Sequence, residues 1–218
     1  MRSIISLNIS HLTLRKLLGC LGVALPIILP LGACMFGGIS ALQPSISAYY
    51  YTNMGDVFVG VLWGFGLFLF TYKGYKPKIG KYSDNAFTNI AGIMAILVSI
   101  FPTNNDGCGK LCNPEWIGTV HLVSAASFFI ILGYISIFKF TLSDKPKKLQ
   151  SDSKKRRNIL YIFSGIFIWV SMFVLFIYII CFKDIWPANT VFWFETIALE
   201  AFGISWLVKG RALSKVGF

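Results

Sequence analysis

Six continuous apolar runs constrain this chain more than any other feature. They cover residues 17–36, 57–72, 86–101, 117–138, 159–182 and 188–208, and their lengths are 20, 16, 16, 22, 24 and 21 residues. A helix needs about 20 mostly apolar residues to cross about 30 Å of hydrocarbon. Four runs reach that length, and the two short ones must borrow flanking residues such as Asp56 or Thr103. Membrane strands are excluded because the runs do not alternate and are too few for an eight-stranded barrel. The expectation is an all-α polytopic membrane protein, a bundle of six transmembrane helices forming one domain over residues 1–218.

Composition agrees. Only 13% of residues are charged and 56% are apolar, with a mean hydropathy of +0.68. Soluble domains carry about a quarter charged residues, and disordered chains carry far less apolar material. The net charge of +11 would suggest nucleic acid in a soluble chain, but its distribution gives another reason for it. Counting along the connections and termini, 18 Lys and Arg fall on one side of the six runs and only Lys110 and Lys183 on the other. Basic residues gather on the cytoplasmic side of membrane proteins, so both termini are expected there and no nucleic acid partner is expected. The run from Lys145 to Arg157 reads as a topology determinant in a solvated loop, with attraction for anionic headgroups as the second reading.

Leu31-Gly32-Ala33-Cys34 looks like a lipoprotein cleavage box behind Arg15 and Lys16. The apolar run is longer than a signal peptide's and continues through Met35 and Phe36, so retention as a helix is expected despite Pro26 and Pro30. Small residues mark packing faces: Gly60 and Gly64 in the second run; Ala91, Ala95 and Ser99 in the third; Ser164, Ser171 and Tyr178 in the fifth. Cys20, Cys34 and Cys181 read as buried apolar residues. Cys108 and Cys112 are disulfide candidates on the expected outer side, where the compartment is oxidising, with free thiols as the alternative.

Ionisable groups at membrane depth are costly and are functional suspects. Asp56, His121, Glu195 and Glu200 all fall in the outer half of the expected bundle, and they are the candidate ligand-binding residues. The uncharged segment at 43–53, with three consecutive tyrosines, reads as an interfacial aromatic belt or as a lid. Ser47 (or Ser45) with His121 as base is a candidate nucleophilic pair, at the level of residue type only. One histidine in this set leaves a zinc hydrolase poorly supplied with ligands, and neither metal nor cofactor is expected.

Several segments resemble a known group. Ser45-Ile-Ser-Ala-Tyr-Tyr-Tyr-Thr, Asp56-Val-Phe-Val-Gly-Val-Leu-Trp-Gly, Phe101-Pro-Thr, His121-Leu-Val-Ser-Ala-Ala-Ser-Phe-Phe, Leu199-Glu-Ala and Trp206-Leu-Val-Lys-Gly together resemble an uncharacterised bacterial family of six-helix integral membrane proteins. That resemblance implies a multi-pass protein of the bacterial inner membrane and carries no reaction. A more distant likeness is to the seven-helix ceramidase and progestin-receptor-like membrane hydrolases. This chain departs from them in lacking the paired histidines of the last helix and in having one span fewer. The expected function is an outward-opening polar cavity for a lipid headgroup or small solute. A lipid-directed hydrolase using His121 and a non-catalytic scaffold are the alternatives, and membrane lipids are the expected partners.

Overall fold

Each apolar run becomes a helix, because a continuous apolar stretch satisfies its backbone internally only by winding on itself. The structure, a computed structural model, describes residues 2–72, 84–104, 113–143, 146–182, 185 and 187–212. The helices are α1 (Arg2–Gly37), α2 (Gly55–Thr71), α3 (Asp84–Ile100), α4 (Glu115–Tyr134), α5 (Asp152–Ile177) and α6 (Thr190–Lys209). Helices α4 and α5 each end in one π-helical turn, at Ile135–Lys139 and Tyr178–Phe182. No strand occurs among the described residues.

By length and composition, four helical segments are able to cross a membrane: His11–Gly37, Glu115–Lys139, Asp152–Phe182 and Thr190–Lys209. Helices α2 and α3 are apolar but shorter. Helix α1 runs unbroken through Pro26, Pro30 and Cys34. Helix α5 begins earlier than the apolar run suggests. Ser151 caps it by accepting the Lys154 backbone N–H at 3.3 Å, which places Lys154 to Arg157 on its first turns and not in a loop.

Chain neighbours are mostly neighbours in space, and α6 closes the ring by packing along α1. Three glycine pairs mark the tightest seams, two of them reciprocal. A Cβ added at Gly203 of α6 would sit 2.8 Å from the Gly19 carbonyl oxygen of α1, and the reverse distance is also 2.8 Å. Gly92 of α3 meets the Gly66 carbonyl of α2 at 2.9 Å, and Gly165 of α5 meets the Gly133 carbonyl of α4 at 2.8 Å. Only a missing side chain permits such approach. The expected packing pair, Gly60 and Gly64, is not one of these seams. A Cβ at Gly60 meets nothing within 4 Å, and one at Gly64 meets only Leu21 Cδ1 at 3.5 Å. Spacing of four identifies a stripe on a helix but not which stripe turns inward. The other two stripes do turn inward: Ala91, Ala95, Ser99, Ser164, Ser171 and Tyr178 are all buried.

Polar bonds reinforce the α4–α5 seam, where Trp169 Nε1–H donates to the Ile130 carbonyl at 3.0 Å and Ser136 Oγ–H to the Tyr161 carbonyl at 2.8 Å. The outward face of α5 is a continuous apolar strip that includes Phe163, Phe167, Phe173 and Phe176. Cys20, Cys34 and Cys181 are exposed, not buried. These three stand on the outer face of the bundle, among its exposed apolar side chains.

Candidate functional site

The connection between α1 and α2 folds down onto α6. The α6 amide of Phe192 donates to the Pro44 carbonyl at 2.9 Å. The Ile46 amide in turn donates to Oε2 of Glu195 at 2.6 Å, with the Ser47 amide as a second, looser donor to the same carboxylate. These amides open a short 3-10 helix, Ser47–Tyr51. The first amides of any helix lack internal partners and attract negative charge. Glu195, in the second turn of α6, supplies a carboxyl acceptor for them from a different part of the chain.

The three tyrosines divide their work. Tyr49 is buried, its ring 6.2 Å from that of Phe192. Tyr51 donates its hydroxyl to the Thr103 carbonyl at 2.6 Å and accepts from Asn113 Nδ2 at 2.8 Å. Tyr50 lies edge-on to Tyr51. The segment is therefore a folded cover tied to α6 and to both ends of the α3–α4 connection. An interfacial belt would leave all three rings outside.

Beneath this cover is a cavity of ≈ 30 Å³, walled by Ile46, Ser47, Phe58, Phe128, Phe129 and Glu195, with Leu25, Leu62 and Val98 among its other neighbours. A water needs about 10–15 Å³ of such space, so one or two small molecules fit. The wall is apolar except for the Glu195 carboxylate and the buried Ser47. It combines one carboxyl group with three aromatic rings.

Of the four residues singled out in the sequence, Glu195 alone lines this cavity. Asp56 is exposed in the first turn of α2, where a carboxylate favours the positive end of the helix dipole. Glu200 is partly buried and lies outside the cavity lining. His121 is buried, and its Nδ1 lies 2.7 Å from the Phe101 carbonyl oxygen. A carbonyl only accepts, so Nδ1 carries the proton. That carbonyl follows the last turn of α3, whose oxygens have no intrahelical partner. His121 thus ties the end of α3 to α4 and does not line the space around Ser47. No group of three His, Cys, Asp or Glu side chains gathers as a metal set among the described residues. Cys108 and Cys112 lie outside the described residues.

Sequence reasoning missed the Ile46 amide and the phenylalanine walls. A backbone donor leaves no mark in a sequence, and Phe58, Phe128 and Phe129 look like any of the 20 phenylalanines. The segment Pro44-Ser45 before a short turn was the only available cue for a helix start needing a cap.

Beyond the cavity the axis is filled by aromatic side chains. Phe65 and Phe128 are 6.2 Å apart, Phe65 and Phe202 5.4 Å, Phe202 and Trp206 6.0 Å, and Trp206 and Phe140 5.1 Å. Cations ring the far end of this column. Lys209 Nζ sits 4.7 Å from the Phe140 ring centre, Arg15 5.2 Å from Tyr72 and Lys139 5.0 Å from Phe87. Lys154 Nζ donates to the Phe140 carbonyl at 3.0 Å.

Comparison with protein-family models, with curated proteins and with solved structures returned no match for this chain.

Proposed function

We propose that the chain is a six-pass membrane protein, both termini cytoplasmic, whose outer-half cavity binds a small cationic solute of the ammonium class. The single observation that carries this reading is Glu195. Its carboxylate is held by the Ile46 amide at 2.6 Å on the wall of a ≈ 30 Å³ cavity that three phenylalanines share. A carboxylate that ionises as a cation enters attracts it strongly where water is scarce, and aromatic rings add to that attraction. The volume favours a solute of one or two heavy atoms over a lipid headgroup. The aromatic column below the cavity favours a dead-end binding site over a through-path.

The exposed apolar strip of α5 and the four helices of crossing length support the membrane reading. The asymmetric placement of Lys and Arg supports its orientation. A scaffold role is the second reading. It is favoured by one observation, that Glu195 and His121 both hold backbone groups of distant segments.

Thermal melting of the detergent-solubilised chain in ammonium or methylammonium chloride, against sodium chloride at equal ionic strength, separates the two. The cavity reading expects a higher melting temperature in the ammonium salts and loss of that increment in Glu195→Gln. The glutamine oxygen still accepts from Ile46, so the cover stays latched. An equal response of both proteins, or none in the wild type, establishes the scaffold.

A further inference from the structure

At the opposite end of the bundle, α1 and α2 form a notch that the cavity reading does not use. It is lined by His11, Leu14, Arg15 and Leu18 of α1, by Phe68 and Thr71 of α2 with Tyr72 just after it, and by Trp206 of α6 at its base, and its volume is ≈ 10 Å³. His11 and Arg15 are four residues apart, so they share one helix face. Arg15 Nε is buried without a hydrogen-bond partner, while the guanidinium lies over the Tyr72 ring. Helix α1 contains no acid, and the one acid of α2, Asp56, is at its other end. A guanidinium presents five donors in a fork that matches phosphate and carboxylate oxygens. Here one of those donors is sealed from solvent and unmatched.

A trough leads away from the notch. Gly60, Gly64, Phe68 and Tyr72 follow one another at four-residue spacing along α2. A Cβ at Gly60 would meet nothing within 4 Å, and one at Gly64 only Leu21 Cδ1 at 3.5 Å, so both positions lie low on the helix. From Tyr72 to Gly60 the helix rises about 18 Å, close to the depth of one leaflet, half of about 30 Å. The exposed Trp63 and Leu67 flank it. An anion site opening onto an apolar trough one leaflet long has the shape of one kind of ligand.

We infer that the notch and trough between α1 and α2 bind an anionic phospholipid, its phosphate oxygens on Arg15 and His11 and an acyl chain along Gly64 and Gly60. The notch admits a single oxygen, so the headgroup lies across its mouth. This rests on the membrane-spanning part of the reading above and is independent of Glu195.

The test uses the full chain reconstituted in phosphatidylcholine bilayers with and without phosphatidylglycerol, then extracted into mild detergent for native mass spectrometry. Wild type retains phosphatidylglycerol over phosphatidylcholine by about tenfold, the worth of one charge-assisted hydrogen bond. Arg15→Gln removes that preference, and Arg15→Lys restores part of it. Lys155→Gln, which breaks the exposed pair with Asp152, leaves it intact. Equal retention by Arg15→Gln and wild type overturns the inference, as does an equal loss in Lys155→Gln, which marks unspecific surface charge. Displacement of the lipid by millimolar inorganic phosphate assigns the notch to free anions and also overturns it. Failure of the wild type to float with the bilayers refutes the membrane reading itself, a result separate from the retained-lipid ratio.

Discussion

A buried histidine at membrane depth attracts a catalytic interpretation, and the hydrogen bond it makes decides against one here. His121 donates to the Phe101 carbonyl at 2.7 Å, and Pro102, which follows, offers no N–H to continue the helix. Removing the imidazole leaves a buried carbonyl without its donor, which costs about 1–3 kcal/mol. His121→Phe should therefore lower the unfolding free energy by about that amount, read by denaturant titration in micelles, whereas His121→Gln, which keeps a donor, should lose less. An unchanged midpoint in His121→Phe would show that the bond carries no stability. At this scale the sequence was legible in part. Glu195 was visible as a carboxylate in an apolar run, and its burden shows why. A charge in such a run must be matched, and the match turned out to be a backbone amide 149 positions away. His121 carried the same signal for a different reason, since a helix end also needs a polar partner.

At the scale of the element, glycine placement discriminates sharply. Gly203→Ala puts a methyl against the backbone of α1, 2.8 Å from the Gly19 oxygen and 2.9 Å from the Val23 nitrogen. Backbone atoms of a packed helix do not yield as a flexible side chain does, so a destabilisation of about 1–3 kcal/mol is expected. Gly60→Ala meets nothing within 4 Å and exchanges a poor helix former for the best one, a gain of up to about 1 kcal/mol. Melting curves of the two single variants should therefore move in opposite directions, and movement of both the same way would remove the seam argument. The helices themselves were legible because long apolar runs permit little else. Their ends were less so. The first turns of α5 are polar and carry Lys154 to Arg157, which hydropathy assigns to a loop, although Ser151 begins the helix before them.

For the whole molecule, the strongest sequence signal is the sorting of charge, and it concerns orientation. In a chain whose five cysteines are replaced by serine, Tyr51→Cys should react with a membrane-impermeant maleimide on intact cells. Lys155→Cys should react only after permeabilisation. The reverse pattern would invert the topology. What the sequence could not supply at this scale was lateral arrangement. Asp56, His121, Glu195 and Glu200 are expected in the same half of the bundle, an expectation that follows from position along each helix alone. Which helix stands beside which depends on seams such as Gly19 with Gly203, and a glycine does not announce its partner.

The seams also impose an order in time. Helices α2 and α3, and then α4 and α5, pair with immediate neighbours, so each glycine contact is available as soon as its second helix leaves the ribosome. Helix α1 has the opposite fate. Its tightest partner, α6, is synthesised only after the other five helices, and Glu195 on that helix is also what fixes the cover made from residues 44–47. Through most of translation the first helix stands with its glycine face unoccupied and the cover unfastened. The cavity thus forms only after α6 has been made, and its closure reports that all six helices are in place.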